Sequence, residues 1–379
     1  MQIIKDKTYS LCDVCRKEVP AITFEENGNV YLRKNCGQHG EFTSLIEKDP
    51  EYYKKVVHTK PQKLVPFSTL VVPVTHRCNL NCKYCYAPHA GRADMTLDEF
   101  KRIIKSTDSP MIGISGGEPT LRDDLESMIA MVKRAGKSTI LLTNGLSLAD
   151  AKYAKKLNKA GLDRIFFSFD SFSRDFYGNF KDSKSDTTDI LGLKMKALRN
   201  IEKEGIETTL SMTIYPNVND KEIMDIFIFA LERSHFLDCL RLRSCYKIGR
   251  NSGVNEEGYF GSEILDLFSK AINIDKRRLL AENLIDDDHS PYHVFLSMEG
   301  YVRDGRYISA SNMPKKDLKQ RLFSLIRKDP PKKSLLVRFI NWPTIQSIDL
   351  QELENGVGQV TKDGKTVNFC HSIILDNIN

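Results

Sequence analysis

The stretch Cys78-Asn-Leu-Asn-Cys82-Lys-Tyr-Cys85 decides how the chain is interpreted. It follows an apolar, β-branched run, Thr69–Thr75, which is typical of a buried strand. A strand ending there presents three thiolates in one short loop. Thiolates are the usual ligands of iron–sulfur clusters, which normally take four. Since no fourth cysteine lies nearby, a [4Fe–4S] cluster held by these three would keep one iron open for a small molecule. The alternatives are a zinc knuckle or three unrelated buried cysteines.

Bulk properties describe an ordinary globular chain of 379 residues, long enough for about two domains. Hydrophobic residues make up 41% and charged residues 28%, and a net charge of +6 is weak evidence for any partner. No apolar run approaches the roughly 18 to 20 residues of a membrane span, and the first residues lack the apolar core of a signal peptide. We therefore expect a cytoplasmic protein, in which nine cysteines indicate metal ligands before disulfides.

The first 62 residues predict a small metal-bound β-hairpin module, rubredoxin-like in outline. A C-x2-C pair precedes a C-x2-H pair, and the candidate ligands are Cys12, Cys15, Cys36 and His39. Between the pairs, Asn27-Gly28 flanked by β-forming residues predicts a two-residue hairpin turn. Four such ligands suit tetrahedral Zn²⁺, with iron as the alternative, and a closed site of this kind is structural. His39 could also stand outside the site, which would then use only cysteines and water.

Six short apolar strands alternate with helical stretches between Ser68 and about Cys245. The strands are Thr69–Thr75, Met111–Ser115, Ser138–Thr143, Asp163–Asp170, Glu207–Tyr215 and Cys239–Arg243. Thr96-Leu-Asp-Glu99 has the form of a capping box and opens one of the helices. The alternation predicts a parallel sheet with right-handed crossovers, whose chemistry lies at the C-terminal ends of the strands. Six units are too few for an eight-fold barrel.

Glycine or polar residues follow the second, third and fourth of these strands. The motifs are Ser115-Gly116-Gly117-Glu118-Pro119, Thr143-Asn144-Gly145 and Ser168-Phe169-Asp170. Two glycines allow the backbone to approach a ligand closely, and a carboxylate beside them can accept a hydrogen bond from an ammonium group. The polar side chains at the other two strand ends are placed to hydrogen-bond a ribose, a carboxylate or a substrate. Asn144 also suits a turn.

With these motifs the chain resembles the radical SAM enzymes. The family's C-x3-C-x-aromatic-C motif is matched with Tyr84 as the aromatic residue, and its GGEP motif is matched by Gly116 to Pro119. The resemblance implies that Cys78, Cys82 and Cys85 hold a [4Fe–4S] cluster whose open iron binds S-adenosyl-L-methionine (SAM). It implies cofactor-binding roles for Gly116, Gly117, Glu118, Ser168, Asp170 and Asn144.

The implied fold is α/β. A partial (β/α)6 TIM-like barrel over residues 63–250 stands between the N-terminal metal-bound module with its linker, 1–62, and a C-terminal α+β extension, 251–379. The implied reaction is reductive cleavage of SAM to a 5′-deoxyadenosyl radical, which abstracts hydrogen from an unreactive C–H bond.

The N-terminal module narrows the resemblance to the branch that includes tetraether lipid synthases and methanopterin-methylating proteins. This branch implies C–C bond formation or methylation of a small molecule or lipid, and an electron donor such as ferredoxin or flavodoxin. Modification of a peptide or protein is an alternative. A non-catalytic zinc-binding interaction protein is the alternative from a different class. No nucleic-acid partner is expected, because no basic stripe with interleaved aromatic residues occurs.

For two arginines of the sixth strand, and for the three remaining cysteines, the sequence allows two roles each. Arg241 and Arg243 share one face of the sixth strand, where they could grip a carboxylate or phosphate inside the barrel or be solvated outside it. Cys239, Cys245 and Cys370 could bind an auxiliary cluster if the tail folds back over the barrel, or could be small buried cysteines.

Overall fold

The computed structural model describes most of the chain. The described residues are 1–57, 68–85, 93–183, 189–245, 258–284, 293–303, 305–309, 333–340, 346–350, 358–360 and 366–368.

The N-terminal module is a four-stranded antiparallel sheet followed by one short helix. Its elements are β1 (Gln2–Leu11), β2 (Glu18–Glu26), β3 (Asn29–Cys36), β4 (Gly40–Glu47) and α1 (Pro50–Val56). The predicted hairpin is the β2–β3 pair, and its turn residues Asn27 and Gly28 both have positive φ, 50° and 74°. The outer strands β1 and β4 enlarge the hairpin into a sheet with its own apolar cluster, which includes Val30, Leu32, Ile46 and Tyr53.

The rest of the described chain forms one large sheet with its helices and one small strand pair. The strands are β5 (Thr69–Thr75), β6 (Leu80–Cys82), β7 (Met111–Gly116), β8 (Ser138–Thr143), β9 (Arg164–Ser168), β10 (Lys181–Ser183), β11 (Glu207–Ile214), β12 (Leu237–Ser244), β13 (His293–Arg303), β14 (Arg306–Ser309), β15 (Lys333–Ile340), β16 (Gly358–Val360) and β17 (Thr366–Asn368). The helices are α2 (Leu97–Ser106), α3 (Leu125–Arg134), α4 (Ala151–Lys159), α5 (Arg174–Phe180), α6 (Ile190–Glu204), α7 (Ile223–Glu232), α8 (Gly261–Ile272) and α9 (Lys276–Glu282).

Six of these strands form the predicted parallel barrel. They lie side by side in the order in which they follow along the chain, β5-β7-β8-β9-β11-β12. The predicted capping box is present: Thr96 Oγ1 accepts a hydrogen bond from Glu99 N, and Glu99 Oε2 accepts one from Thr96 N. Alternate residues of each strand pack against the helices in one apolar core, as Leu240 and Leu242 of β12 do. The α/β fold class with a partial (β/α)6 barrel is confirmed.

Strands from the C-terminal region extend the same sheet on both sides. β15 pairs in parallel with β12, β13 pairs antiparallel with β15, and β16 pairs in parallel with β5. The strands that flank the Asp363-Gly364 turn signal, β16 and β17, pair antiparallel, while the turn itself lies outside the described residues. The sheet thus continues across the division that the sequence suggests at residue 250. Among the described helices, none has the length and apolar character that crossing a membrane requires.

The N-terminal module packs on the C-terminal region through buried polar contacts. The Lys5 ammonium lies 2.9 Å from an Asp349 carboxylate oxygen, and the two side chains are 5% and 0% exposed. The carboxylate of Glu47 accepts hydrogen bonds from the backbone N–H of Ser262 at 3.2 Å and from its hydroxyl at 2.5 Å. Because Ser262 lies in the first turn of α8, Glu47 caps that helix from a different part of the chain.

The buried carboxyl of Glu47 predicts a pH-dependent stability. Desolvation raises the pKa of Glu47 to about 7, although hydrogen bonds from Ser262 and Lys48 act to lower it. A carboxyl with a raised pKa stays protonated in the folded protein while the unfolded chain ionises, so stability falls as pH rises from about 4.5 through 7. A shift of this size corresponds to about 3 kcal/mol.

We therefore expect the free energy of unfolding of Glu47→Gln, relative to the parent, to rise by about 2 to 3 kcal/mol between pH 5 and pH 8. Urea titrations of both proteins at the two pH values measure this difference. Glu51→Gln is the control, because Glu51 is 76% exposed. An equal pH response of Glu47→Gln and the parent would contradict the buried carboxyl.

Candidate metal and cofactor sites

The four predicted ligands of the N-terminal module come together at one point. Cys12 and Cys15 lie in the turn between β1 and β2, Cys36 is the last residue of β3, and His39 lies in the turn that follows. Their ligand atoms all lie within 4.8 Å of one another. His39 Nδ1 is 3.6 Å from Cys12 Sγ and 3.4 Å from Cys36 Sγ, and Cys15 Sγ is 3.9 Å from Cys36 Sγ.

This arrangement fits a tetrahedral zinc ion. With zinc–ligand distances of about 2.0 to 2.3 Å, neighbouring ligand atoms of a tetrahedron stand about 3.4 to 3.8 Å apart. Desolvation raises the pKa of Cys12, but hydrogen bonds from the backbone of Cys15 and Val14 outweigh it and lower that pKa to about 6. Cys12 is therefore the thiol of this group that most readily becomes the thiolate a metal requires. Nδ1 of His39 lies among the three sulfur atoms, so these residues offer four ligand atoms to one ion.

The three-cysteine loop starts at Cys78, three residues after the end of β5. Cys82 belongs to β6, which pairs antiparallel with β10, and the register places Cys82 opposite Lys181. Cys78 and Cys82 are half-buried against an apolar cluster that includes Leu80, Tyr84, Phe176, Tyr177 and Tyr215. Cys85 is also half-buried, and its backbone N–H donates to the carbonyl of Cys82 at 3.3 Å.

The chemistry of these cysteines fits an iron–sulfur cluster. Desolvation raises the pKa of Cys82 to about 12, while the positive charge of Lys181 opposes the rise. A thiol in such surroundings becomes a thiolate readily only when a metal coordinates it, because the metal charge stabilises the deprotonated form. The backbone N–H of Leu80 points at Cys78 Sγ, 3.4 Å away, as a donor to a ligated sulfur would.

Gly116 and Gly117 bring the end of β7 against the start of the cysteine loop. The backbone N–H of Gly117 donates to the carbonyl of Thr75 at 2.8 Å, and the N–H of Glu118 donates to the carbonyl of Arg77 at 2.8 Å. A Cβ atom on Gly116 would stand 2.2 Å from the Thr75 carbonyl oxygen, and one on Gly117 would stand 2.3 Å from the Arg77 carbonyl oxygen. Glycine is therefore required here by the protein's own backbone.

Substituting Gly116 with alanine is expected to lower the free energy of unfolding by at least about 2 kcal/mol. The clash is with backbone, and Gly116 also has φ of +143°, which alanine rarely adopts. Chemical denaturation measures the loss. Gly178→Ala in α5 is the matched control, since nothing lies within 4 Å of its added Cβ, and we expect a change below about 1 kcal/mol. Equal stabilities of the two variants would refute the close approach.

The Glu118 carboxylate joins the ends of two barrel strands. It is fully buried, and its Oε1 accepts hydrogen bonds from the Thr120 hydroxyl and the Thr143 hydroxyl, each at 2.7 Å. Its Oε2 accepts a hydrogen bond from the backbone N–H of Asn144 at 2.7 Å. The Asn144 side chain in turn donates to the side-chain oxygen of Asn79, within the cysteine motif, at 2.8 Å. Glu118 and Asn144 thus connect the strand ends to the cysteine loop.

Ser168 and Asp170 lie at the end of β9 with two buried lysines. The Asp170 carboxylate accepts a hydrogen bond from the backbone N–H of Thr213 at 2.8 Å and forms an ion pair with Lys181. Lys181 also donates to the Ser168 hydroxyl at 2.5 Å. Desolvation would raise the pKa of Asp170, but the charges of Lys181 and Lys194 hold it below its usual range. Asp170 is fully buried and anchors this network, while Ser168 is half-buried.

The two lysines were not among the residues that sequence reasoning selected. Lys194 is fully buried in α6, and its ammonium donates to the carbonyls of Asn144 and Ser168, both at 2.6 Å. Desolvation, helped by the charge of Lys181, lowers its pKa to about 7. A signal for Lys194 exists, because it occupies the apolar stripe of α6 at helical spacing from Ile190 and Leu198. Lys181 has no such signal, since only tertiary pairing places it beside Cys82.

The candidate auxiliary cysteines do not form a group among the described residues. Cys239 is buried within β12, whereas Cys245 is buried with Tyr84 in the apolar cluster beside the cysteine loop. Cys370 lies outside the described residues. Small buried cysteines and an auxiliary cluster therefore stay the two alternative predictions for these residues.

Two family comparisons coincide with the two sites. Residues 72–230 match the radical SAM superfamily, and residues 4–48 match the HMPTM N-terminal zinc ribbon domain. The first match contains the three-cysteine loop, and the second contains all four candidate zinc ligands.

Curated relatives and a solved structure are similar to parts of the chain. A 7,8-dihydro-6-hydroxymethylpterin dimethyltransferase of Methanocaldococcus jannaschii is 32% identical over 262 residues, which are 60% of this chain and 51% of the relative. The chain therefore spans about half the length of that protein. A GTP 3′,8-cyclase of Nautilia profundicola is 30% identical over 243 residues, 61% of this chain and 70% of the relative. Streptococcus suis SuiB bound to S-adenosylmethionine superposes with a TM-score of 0.47 at 16% identity, covering 57% of this chain and 49% of SuiB.

The four-residue Cys/His group thus lies within the zinc ribbon match, and the cysteine loop with the ends of β7, β8 and β9 lies within the radical SAM match. The cofactors are a [4Fe–4S] cluster, SAM and a zinc ion in the N-terminal module, and the chain belongs to the radical SAM superfamily of enzymes, with an N-terminal zinc ribbon domain.

Proposed function

We propose that this enzyme abstracts hydrogen from an unactivated C–H bond of a small molecule or lipid and uses the resulting radical for methylation or C–C bond formation. The observation that carries the proposal is the order of domains. An HMPTM-type zinc ribbon stands directly before a radical SAM domain, and the pterin dimethyltransferase is 32% identical over a stretch of 262 residues.

The names of the relatives favour a small-molecule substrate. They refer to a hydroxymethylpterin and to GTP. The reactions differ, so they do not specify which bond is formed. A peptide substrate has no comparable support from these sequences.

When bound, the reduced cluster and SAM supply the 5′-deoxyadenosyl radical. In the proposal, Cys78, Cys82 and Cys85 hold the cluster in the apolar surroundings that their loop provides. Gly116 and Gly117 bring backbone close to the methionine moiety, and Glu118 fixes the strand ends beside it. An apolar, largely water-free site protects a reactive radical from side reactions.

Ser168 and Asp170 have different roles in the proposed cofactor site. Asp170 is saturated by Thr213 and Lys181, so we assign it a positioning role for Lys181 and Ser168. The half-buried hydroxyl of Ser168 is the group of this pair that a ribose or substrate can reach. The electron donor in the proposal is a low-potential protein such as ferredoxin or flavodoxin.

The test uses anaerobically reconstituted enzyme with dithionite and SAM carrying a labelled methyl group. Small-molecule, lipid and peptide fractions of a cell extract are added separately, and 5′-deoxyadenosine and label incorporation are measured by mass spectrometry. We expect the small-molecule or the lipid fraction to increase 5′-deoxyadenosine and to yield a product with a new C–C bond or methyl group. Stimulation by the peptide fraction alone would overturn the proposal.

A further inference from the structure

Three arginines share the face of the sheet that is turned away from the helices. On β12, Leu240 and Leu242 pack into the core with α7 and α8, so Arg241 and Arg243 point to the opposite, concave face. On β15, Val337 and Phe339 belong to the same core, and Phe339 contacts Phe268 of α8. Arg338 lies between those two residues in the strand and therefore shares the concave face with the arginines of β12.

The pairing of the two strands brings two of the arginines side by side. Arg241 and Arg338 are register partners in the parallel β12–β15 pair. The charges of both arginines also affect Cys239. Burial raises the pKa of this thiol, and the positive charges of Arg338 and Arg241 oppose that rise. The pairing therefore places two permanently charged side chains at the same level of the concave face.

Aromatic rings and a hydroxyl hold the guanidinium groups in place. The Arg241 guanidinium lies 5.1 Å from the centre of the Phe166 ring, and that of Arg338 lies 4.8 Å from the centre of the Phe295 ring. Arg243 Nε donates to the Thr213 hydroxyl at 2.8 Å. A stacked arginine loses less side-chain freedom when it binds a ligand, which favours specific recognition.

The arginines lead toward the cysteine loop. Arg243 lies two residues before Cys245, which is buried with Tyr84 in the apolar cluster beside the cysteine loop. Thr213, which Arg243 contacts, donates its backbone N–H to Asp170. The row of arginines thus runs along the concave face to the edge where the cofactor site is proposed.

We propose that Arg241, Arg243 and Arg338 bind an oxyanion of the substrate, a carboxylate or a phosphate group, and so hold the rest of the substrate beside the cofactor. This inference rests on the proposed function, because it assigns a substrate class to the same site. Guanidinium groups match the planar geometry of both oxyanions and bind them through paired hydrogen bonds. A neutral hydrocarbon lipid without such a headgroup would not satisfy this surface.

The experiment measures oxyanion binding to the reconstituted enzyme by isothermal titration calorimetry, with SAM present at saturation. Inorganic pyrophosphate and succinate are the two probes, and they distinguish a phosphate from a carboxylate. We expect at least one probe to bind, with an affinity that falls about 10- to 100-fold in Arg338→Gln and in Arg241→Gln. Arg338→Lys keeps the positive charge but loses the paired N–H donors of the guanidinium group. We expect its probe affinity to lie between those of the parent and Arg338→Gln.

Arg233→Gln is the matched control, because Arg233 also stacks on a phenylalanine, 4.0 Å from the Phe229 ring, but on the helical side. Equal probe affinity in all variants, or no binding of either probe to the parent, would overturn the proposal. Loss of SAM cleavage in Arg338→Gln but not in the parent would also overturn it, by assigning this arginine to the cofactor. If the parent itself forms no 5′-deoxyadenosine, the radical chemistry fails, while the affinity comparison still decides the oxyanion site.

Discussion

Replacing Cys82 with alanine is expected to abolish the formation of 5′-deoxyadenosine from SAM, with a loss of at least about 100-fold. Cys82 is one of three cysteines available to the cluster in its loop, and its position is fixed by the pairing of β6 with β10. Removal of one thiolate leaves two ligands, which do not hold a four-iron cluster stably. Iron content should fall from about four per chain, and chromatography after addition of SAM and dithionite measures the product.

The Cys239→Ala variant is the control for this experiment. Cys239 is also buried, with a pKa that desolvation raises to about 12, but it lies in the middle of β12. We expect this variant to keep its iron and its SAM cleavage. Full activity of Cys82→Ala would refute the assignment of the cluster. About eight irons in the parent, reduced to four in Cys239→Ala, would instead establish an auxiliary cluster.

The parallel core of the fold was predictable because its signals are local. Each barrel strand is a short apolar run, and each following helix has its own apolar stripe, so the period of the sequence separates the two. Two of the predicted strands, Thr69–Thr75 and Ser138–Thr143, have the predicted bounds. Motif spacing indicated both candidate metal sites for a similar reason, since their ligands come in pairs or a triplet with two or three residues between neighbouring members.

The outer strands of the sheet were not predictable in this way. β15 joins β12 across a sequence separation of about a hundred residues, and nothing in Lys333–Ile340 says which edge it will meet. The arginine row depends on that pairing, because Arg338 becomes a neighbour of Arg241 only in the folded sheet. The sequence indicated that Arg241 and Arg243 share a face, but only the packing of α7 and α8 determines which face it is.

The roles of the polar strand-end residues depend equally on tertiary contacts. Sequence reasoning treats Glu118 and Asp170 as ligand contacts, whereas each carboxylate receives several hydrogen bonds from the protein itself. The donors come from other strands, so no local motif reveals them. Their positions at the strand ends were correctly expected, and their cofactor-binding roles stay predictions.

Replacing Cys36 with alanine is expected to remove the zinc ion and to unfold the N-terminal module. The four ligands join the two turns of a sheet whose apolar cluster is small. Zinc binding in such modules contributes about 10 to 16 kcal/mol of apparent free energy to folding. Zinc should fall from one ion per chain to nearly none, and residues 1–57 should become the first site of limited proteolysis. Metal analysis and mass spectrometry of the digest measure both effects.

The barrel should keep its cluster in this variant, because the cysteine loop belongs to a different sheet. Its stability should nevertheless fall, since the module contributes the buried Lys5–Asp349 ion pair and the Glu47 cap of α8. Cys239→Ala again serves as the buried-cysteine control and should retain zinc. A Cys36→Ala protein with its full zinc content would contradict the four-ligand site. Loss of iron together with zinc would mean instead that the ribbon supports the cluster loop directly, and that the two sites fold as one cooperative unit.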